Sequence, residues 1–258
     1  MTMRLSTGLR NYLANGGSIA QALRNGKMDI FTGTQPSSAD ALATGTRLCT
    51  ITNNGQAYTP EVASLGAVQL TGSSGTVNTI TVGGVNILPA PVPFNSTLAQ
   101  TMADVVAMIN SGASYPEYFA STNGTIITIA AAPGAAAAPN GLAVAATVAG
   151  GLAASPTNMG ASIAGSAAVN GLQFTAPANG IVSSSGVWSG TNVAAGVAGW
   201  FRQYGCYVDA SALDSTAKYF RIDGAIATSG AEMNLSNTSF VAGAVTLIQN
   251  WAMTVPAQ

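Results

Sequence analysis

The sequence predicts a mainly β protein: an antiparallel β-sandwich with a short N-terminal helical segment and an inserted small α+β domain. Three observations predict it. Short runs alternate β-branched or aromatic residues with small polar ones, and clusters of Gly, Asn and Pro separate them, which is the pattern of strands and turns. One stretch in the middle instead carries apolar residues at helical spacing. The texture also changes near Gly66 and reverts after Gly165, so a block interrupts an otherwise uniform chain. The expected organisation is a discontinuous core domain, 1–65 with 164–258, carrying 66–163 as the insert. Chain termini usually lie close together on a domain, and exposed loops tolerate such insertions.

Each element has its own justification. Leu5, Leu9, Tyr12 and Leu13 recur at helical spacing until Asn15-Gly16-Gly17, and Ile19, Ala22 and Leu23 make a second short turn closed by Asn25-Gly26. Met28–Phe31 and Thr46–Thr52 read as strands on either side of a polar loop. In the insert, Val77–Val82 and Val85–Leu88 flank Gly83-Gly84, a hairpin signal. A helix follows the Pro-rich hinge at Pro89, Pro91 and Pro93, with Asn95 or Ser96 as its N-cap and Leu98, Met102, Val105 and Ile109 along one face. Glu117–Ser121 and Thr125–Ala130 flank Asn123-Gly124, a type I′ turn sequence, and Leu142–Val148 is one more weak strand. The insert thus reads as a β-β-α-β-β unit. Beyond it, Val187–Thr191, Val197–Tyr204, Tyr219–Asp223 and Glu232–Leu235 read as strands. Ala244–Val255 is the clearest: Val245, Leu247, Trp251, Met253 and Val255 share one parity, which Gln249 alone interrupts.

Composition restricts function. The chain has eight basic residues, nine acidic residues and no histidine in 258. Between Arg47 and Arg202 there is no lysine or arginine, and only Glu61, Asp104 and Glu117 carry charge. Soluble proteins are about a quarter charged. A surface this poor in charge is a weak guard against association, so neighbours in an assembly are expected to cover part of it. No basic patch points to nucleic acid. The longest weakly apolar run, Gly141–Ala154, is shorter than the ~20 residues a membrane-spanning helix needs. No apolar segment follows Met1-Thr2-Met3-Arg4, so a cytoplasmic site of synthesis is expected.

Without histidine, Ser-His-Asp and Cys-His nucleophile systems are excluded. Cys49 and Cys206 alone do not make a zinc site. They are two reduced, buried thiols or a disulfide between distant segments, and the sequence leaves both open. Ser215-Thr216-Ala217-Lys218 matches S-x-x-K but lacks the partner motifs of that chemistry, so it reads as a chance match. Asp209, Asp214, Asp223 and Glu232 are the one acidic cluster. They read as solvated or ion-paired loop acids, with Lys218 and Arg221 nearby, against a sharper reading as a calcium site. Trp200 and Trp251 read as core anchors. Trp188, in a stretch of Ser and Gly, is the residue expected at a subunit interface, and Arg4, Arg10 and Arg24 belong to a basic N-terminal stretch that suits docking on an acidic partner. No enzymatic activity, cofactor or metal is expected.

Leu5-Ser6-Thr7-Gly8-Leu9-Arg10-Asn11, the run Met28–Asp40, Ala198-Gly199-Trp200-Phe201-Arg202, Arg221-Ile222-Asp223-Gly224 and Met233–Asn237 together resemble a family of small virion structural proteins of tailed bacteriophages. The insert, with Ile80–Val85 and the helix ending Ile109-Asn110, is similar to modules of other phage tail and accessory proteins. The resemblance implies a virion part, assembled in the host cytoplasm, that associates symmetrically with itself and with head, neck or tail proteins. The collar or neck, or the head surface, is its expected place. The alternative is a carbohydrate-binding module of a receptor-binding fibre or baseplate, which requires exposed aromatics, Trp188 and Trp200 above all.

Overall fold

A computed structural model describes residues 3–112, 114, 115, 117–215 and 218–254. Strands make up 41% of the chain and helices 10%, so the protein is mainly β, in several antiparallel sheets. Its backbone contacts divide it into two compact units, Met1–Glu61 with Ala168–Gln258, and Val62–Ala167. Both junctions fall four residues outside the boundaries read from the change of texture.

The first unit opens with β1 (Arg4–Leu5) and α1 (Thr7–Ala14). Ser6 lies between them in extended conformation, and its hydroxyl accepts the Leu9 N–H at 3.3 Å, which caps the helix. Leu5, expected in the helix, is therefore the end of a strand. α1 buries Leu9 and Tyr12, and α2 (Ile19–Leu23) follows behind its own cap, Ser18. β2 (Met28–Thr32) and β3 (Arg47–Asn53) complete the first pass through this unit. Met28, Asp29, Ile30 and Phe31 are all buried, so β2 is covered on both faces.

The chain then builds the second unit: β4 (Leu65–Gly72), β5 (Thr76–Val82), β6 (Val85–Asn86), β7 (Val92–Pro93), α3 (Leu98–Asn110), β8 (Tyr118–Thr122), β9 (Ile127–Ala131), β10 (Val144–Ala149) and β11 (Leu152–Thr157). It returns to the first unit for β12 (Gln173–Phe174), β13 (Ile181–Ser185), β14 (Trp188–Thr191), β15 (Gly196–Tyr204), β16 (Arg221–Ala227), β17 (Met233–Asn234), β18 (Ser239–Phe240), β19 (Val245–Ile248) and β20 (Ala252–Thr254).

In the first unit a nine-stranded sheet runs β1-β16-β15-β2-β3-β14-β19, with β17 parallel to β16 and β18 on β15. A three-stranded sheet, β12-β13-β20, is joined to it by an aromatic cluster. Phe174, Trp188 and Trp251 stand with ring centroids 5.4–5.5 Å apart. The C-terminal run is not one strand. Val245 and Leu247 are exposed while Ile248 is buried, so β19 turns its odd-numbered positions outward. The chain breaks at Gln249-Asn250, and beyond the break Trp251 and Met253 face inward as β20 joins the other sheet. Ser184 fixes the crossing, donating its N–H to the Trp251 carbonyl at 2.8 Å.

The second unit holds two four-stranded sheets, β10-β5-β6 with β7 on β5, and β11-β4-β9-β8. β4 and β5 are consecutive yet lie in different sheets, and so do β10 and β11; each pair is an arch, not a hairpin. The arches stack, β4 on β11 and β5 on β10. Glycine permits the stacking. A Cβ at Gly72 (φ +106°) would stand 2.0 Å from the Gly151 carbonyl oxygen, and one at Gly75 (φ +123°) 1.9 Å from that of Ala149. Val68, Leu70, Val77, Ile80, Ile127 and Ile129 fill the core with Met102, Val105 and Ile109 of α3. Thr97, not Asn95 or Ser96, caps α3, accepting the Gln100 N–H at 3.1 Å. The β8–β9 loop is likewise longer than the expected type I′ turn. Thr122 pairs with Ile127, and Asn123 Oδ1 accepts the N–H groups of Thr125 and Ile126 at 3.0 and 3.1 Å.

Candidate functional site

Several charges of the first unit gather in one place. Strand register puts Thr50, Asp29, Arg202, Asp223 and Arg4 opposite one another on β3, β2, β15, β16 and β1, a cross-strand row of alternating charge. Arg202 holds Asp223 through two bonds of 2.7 Å, and both side chains are fully buried. Asp29 accepts from the Thr50 hydroxyl at 2.6 Å and from Lys27 Nζ at 2.9 Å. Burial pushes the Asp223 carboxyl above its ordinary range, against the opposite pull of Arg202, Arg221 and Arg4.

A second clamp lies beside the row. Arg221 grips Asp209 at 2.7 and 2.6 Å, and its remaining donor reaches the carbonyls of Ala39 and Asp40 at 3.3 and 3.4 Å. Arg202 reaches the next carbonyl, Ala41, at 2.9 Å. Asp40 in turn accepts the N–H and hydroxyl of Thr7 at 2.8 and 2.7 Å at the start of α1. Asp214 accepts the N–H groups of Lys218 and Tyr219 at 3.2 and 2.8 Å. The two arginines thus tie the loop after β2, the start of α1 and the segment after β15 to the sheet.

This geometry does not suit acid–base chemistry. Glycoside hydrolysis places two carboxyls across an open cleft, whereas Asp223 is sealed and Asp209 and Asp223 each face a guanidinium. The acids expected to be solvated or ion-paired are ion-paired at Asp209 and Asp223, and Asp214 and Asp223 are buried. Glu232 accepts the Ala225 N–H at 2.9 Å. Among the described residues no group of His, Cys, Asp or Glu is placed to hold a metal ion. Thr216 and Ala217 of the S-x-x-K match lie outside the described residues; Ser215 and Lys218 are exposed. Cys49 and Cys206 are both buried thiols, and burial pushes Cys49 up to about 12. Among the described residues no helix is long and apolar enough to cross a membrane.

Trp188 is not an interface residue. It is fully buried, its indole N–H donating to the carbonyls of Ser185 and Gln173 at 3.2 and 3.3 Å, because the Ser and Gly beside it line a strand rather than a surface loop. Arg4 is half-buried and donates to the Pro36 carbonyl. Arg10 and Arg24 are exposed, and Arg10 donates to Thr7 Oγ1 at 2.8 Å. Trp200 is fully buried and stacks on Phe31 at 4.5 Å. None of the described aromatic side chains is more than partly exposed.

Sequence reasoning missed Asp29 and Arg202 as partners in one row. Their charges were visible, but only strand register brings them together. It also missed the exposed aliphatic residues. Val193, Val197, Val241, Val245 and Leu247 are 50–70% exposed on segments bonded to one another: Asn192 N–H to the Ala244 carbonyl, the Asn192 amide to the Val241 carbonyl, and β15 to β18. No protein-family model, curated protein or solved structure matches this chain.

Proposed function

We propose that the chain is a non-enzymatic structural component of a tailed-phage virion, associating symmetrically with itself at the collar or neck or on the head surface. The observation that carries this reading is how the surface is made. Six of the seventeen charged side chains are taken up in three internal pairs, Arg202–Asp223, Arg221–Asp209 and Lys27–Asp29, which leaves a surface poor in charge. Large aliphatic side chains meanwhile stand in solvent, Val193, Val197, Val241 and Val245 each more than 60% exposed. Such a surface is stable in water when neighbours cover it. The resemblance of the segments around Met28–Asp40 and Ala198–Arg202 to phage virion proteins supplies the kind of assembly. The carbohydrate-binding alternative loses its support with the burial of Trp188 and Trp200.

Immunogold electron microscopy of purified particles, with antibody against the native chain, tests the proposal. Label at the head–tail junction is the result expected of a collar or neck part, and label over the shell that of a head-surface part. Unlabelled particles would overturn the placement on the virion exterior.

A further inference from the structure

Strand edges differ in how they are closed. Four of them carry a device against adding another strand. β10 has a register shift at Thr147/Val148, and β11 carries Pro156. β1 is two residues long and includes Arg4. At β8, the Asn110 side chain acts as a substitute strand, accepting the Ala120 N–H and donating to the Ala120 carbonyl, both at 2.8 Å. β19 has none of these. It ends the nine-stranded sheet, pairs only with β14, and no charged residue or proline lies between Ser239 and Thr254.

Its free groups follow from register. Asn192 donates to the Ala244 carbonyl, and the pairs Thr191–Val245 and Ser189–Leu247 continue the ladder. Hydrogen-bonded pairs alternate in an antiparallel ladder, so Thr246 and Ile248 bond to β14. The N–H and C=O of Val245 and Leu247 therefore point away from it. Their side chains are 70% and 50% exposed. A groove of about 750 Å³, lined among others by Asn234, Ser239, Val245, Leu247 and Gln249, leaves space along the strand.

We infer that β19 is a dimerisation edge that pairs antiparallel with β19 of a second copy of this chain, about a two-fold axis at Thr246. This rests on the reading of the chain as self-associating, and names where. Centred on Thr246, Val245 of one copy meets Leu247 of the other, and Leu247 meets Val245. Each of these pairs is hydrogen-bonded, so every outward N–H and C=O of the two residues finds a partner. The apolar side chains also meet as cross-strand neighbours. Charge argues for the same occupant. The strand and its flanks from Ser239 to Thr254 are neutral, so a copy of the strand brings no charge of its own beside Val245 and Leu247. The acid lining the groove, Glu232, accepts the Ala225 N–H at 2.9 Å, and the two-fold closes the edge without opening a fibre.

Two variants of the whole chain test this by analytical ultracentrifugation, with amide hydrogen exchange read at β19. Leu247→Pro removes an outward N–H that β14 does not use. Loss of that donor in both copies is expected to weaken the dimer about thirtyfold. Val245→Lys places a charge on the edge without changing the backbone, and it is expected to weaken the dimer by a similar factor. The Val245 and Leu247 amides should be protected in the dimer and exchange freely in either variant. A dimer of unchanged affinity in Val245→Lys, with its circular dichroism intact, would place self-association on another face and overturn the inference. A wild-type chain that stays monomeric up to high micromolar concentration overturns it as well, while particle labelling decides the virion reading separately. Protection of β19 that appears only on adding a different virion protein also overturns the second copy as its occupant.

Discussion

Arg202 stands between Asp29 and Asp223 in one cross-strand row, and its removal strands a buried carboxylate. Breaking such a pair by taking one partner away costs about 3–5 kcal/mol, whereas replacing both partners with apolar residues is close to neutral. Arg202→Met is therefore expected to lower the urea midpoint sharply, and Arg202→Met with Asp223→Leu to recover most of the loss. Equal losses in the single and double variants would mean that the row holds the fold through packing, not charge. Titration gives a second expectation. The Cys49 thiol rises from 9.0 to about 12 on folding, mainly by burial and then by the charge of Asp29. Burial also raises the phenols of Tyr58, Tyr204 and Tyr207 from 10.0. For a raised acid the unfolded chain ionises first, so stability is complete below the unfolded value and falls as pH rises through it. Between pH 9 and about 12 ionisation of the thiol in the unfolded chain progressively lowers stability. The melting temperature should fall from about pH 9 upward, and less steeply in Cys49→Ala; identical slopes would show that the thiol contributes nothing.

At the scale of elements, the sequence was legible where the signal is local. The α3 face of Met102, Val105 and Ile109 is buried as its spacing requires, and Gly83-Gly84 turns β5 into β6. What local pattern cannot carry is which sheet a strand enters. The strands Leu65–Gly72 and Leu152–Thr157 were not read at all, and each forms an arch with its neighbour, pairing across the stack and not with the adjacent strand. The run after Ala244 looks like one strand because parity is nearly kept, yet Gln249-Asn250 lets the chain turn and switch sheets. The charged row was illegible for the same reason: Asp29, Arg202 and Asp223 are distant in sequence and share one row only by register. Asn110 at the end of α3 illustrates an edge device that sequence does not announce. Asn110→Ala leaves the Ala120 N–H and C=O without their partner at the β8 edge. A loss of about 1–3 kcal/mol in a urea melt is expected, with faster exchange of the Ala120 amide. Unchanged exchange there would show that water replaces the side chain at no cost.

For the whole molecule, the decisive feature is that each unit has its own reason to fold. The second unit encloses a continuous core in which Val68, Val77, Ile80, Val105, Ile109, Ile127 and Ile129 are fully buried. Its ends are held by reciprocal bonds of 3.0 Å between Val62 and Ser166. In the first unit, Thr59 and Val169 bond to each other in the same way, at 3.1 and 2.9 Å. The chain thus leaves and re-enters the first unit at neighbouring points, so a short linker between residues 61 and 168 would span the gap without strain. Loop closure of that size costs little more than the native connection. Residues 62–167 expressed alone are expected to melt in one cooperative transition, because a domain of this size can bury a sufficient core. The first unit, joined by a short Gly-Ser linker, should keep the buried-tryptophan fluorescence of Trp188, Trp200 and Trp251, all of which it carries. A non-cooperative melt of 62–167 would mean that its stacked arches need the rest of the chain. Loss of the tryptophan signal in the linked first unit would mean that its sheets form only around the insert.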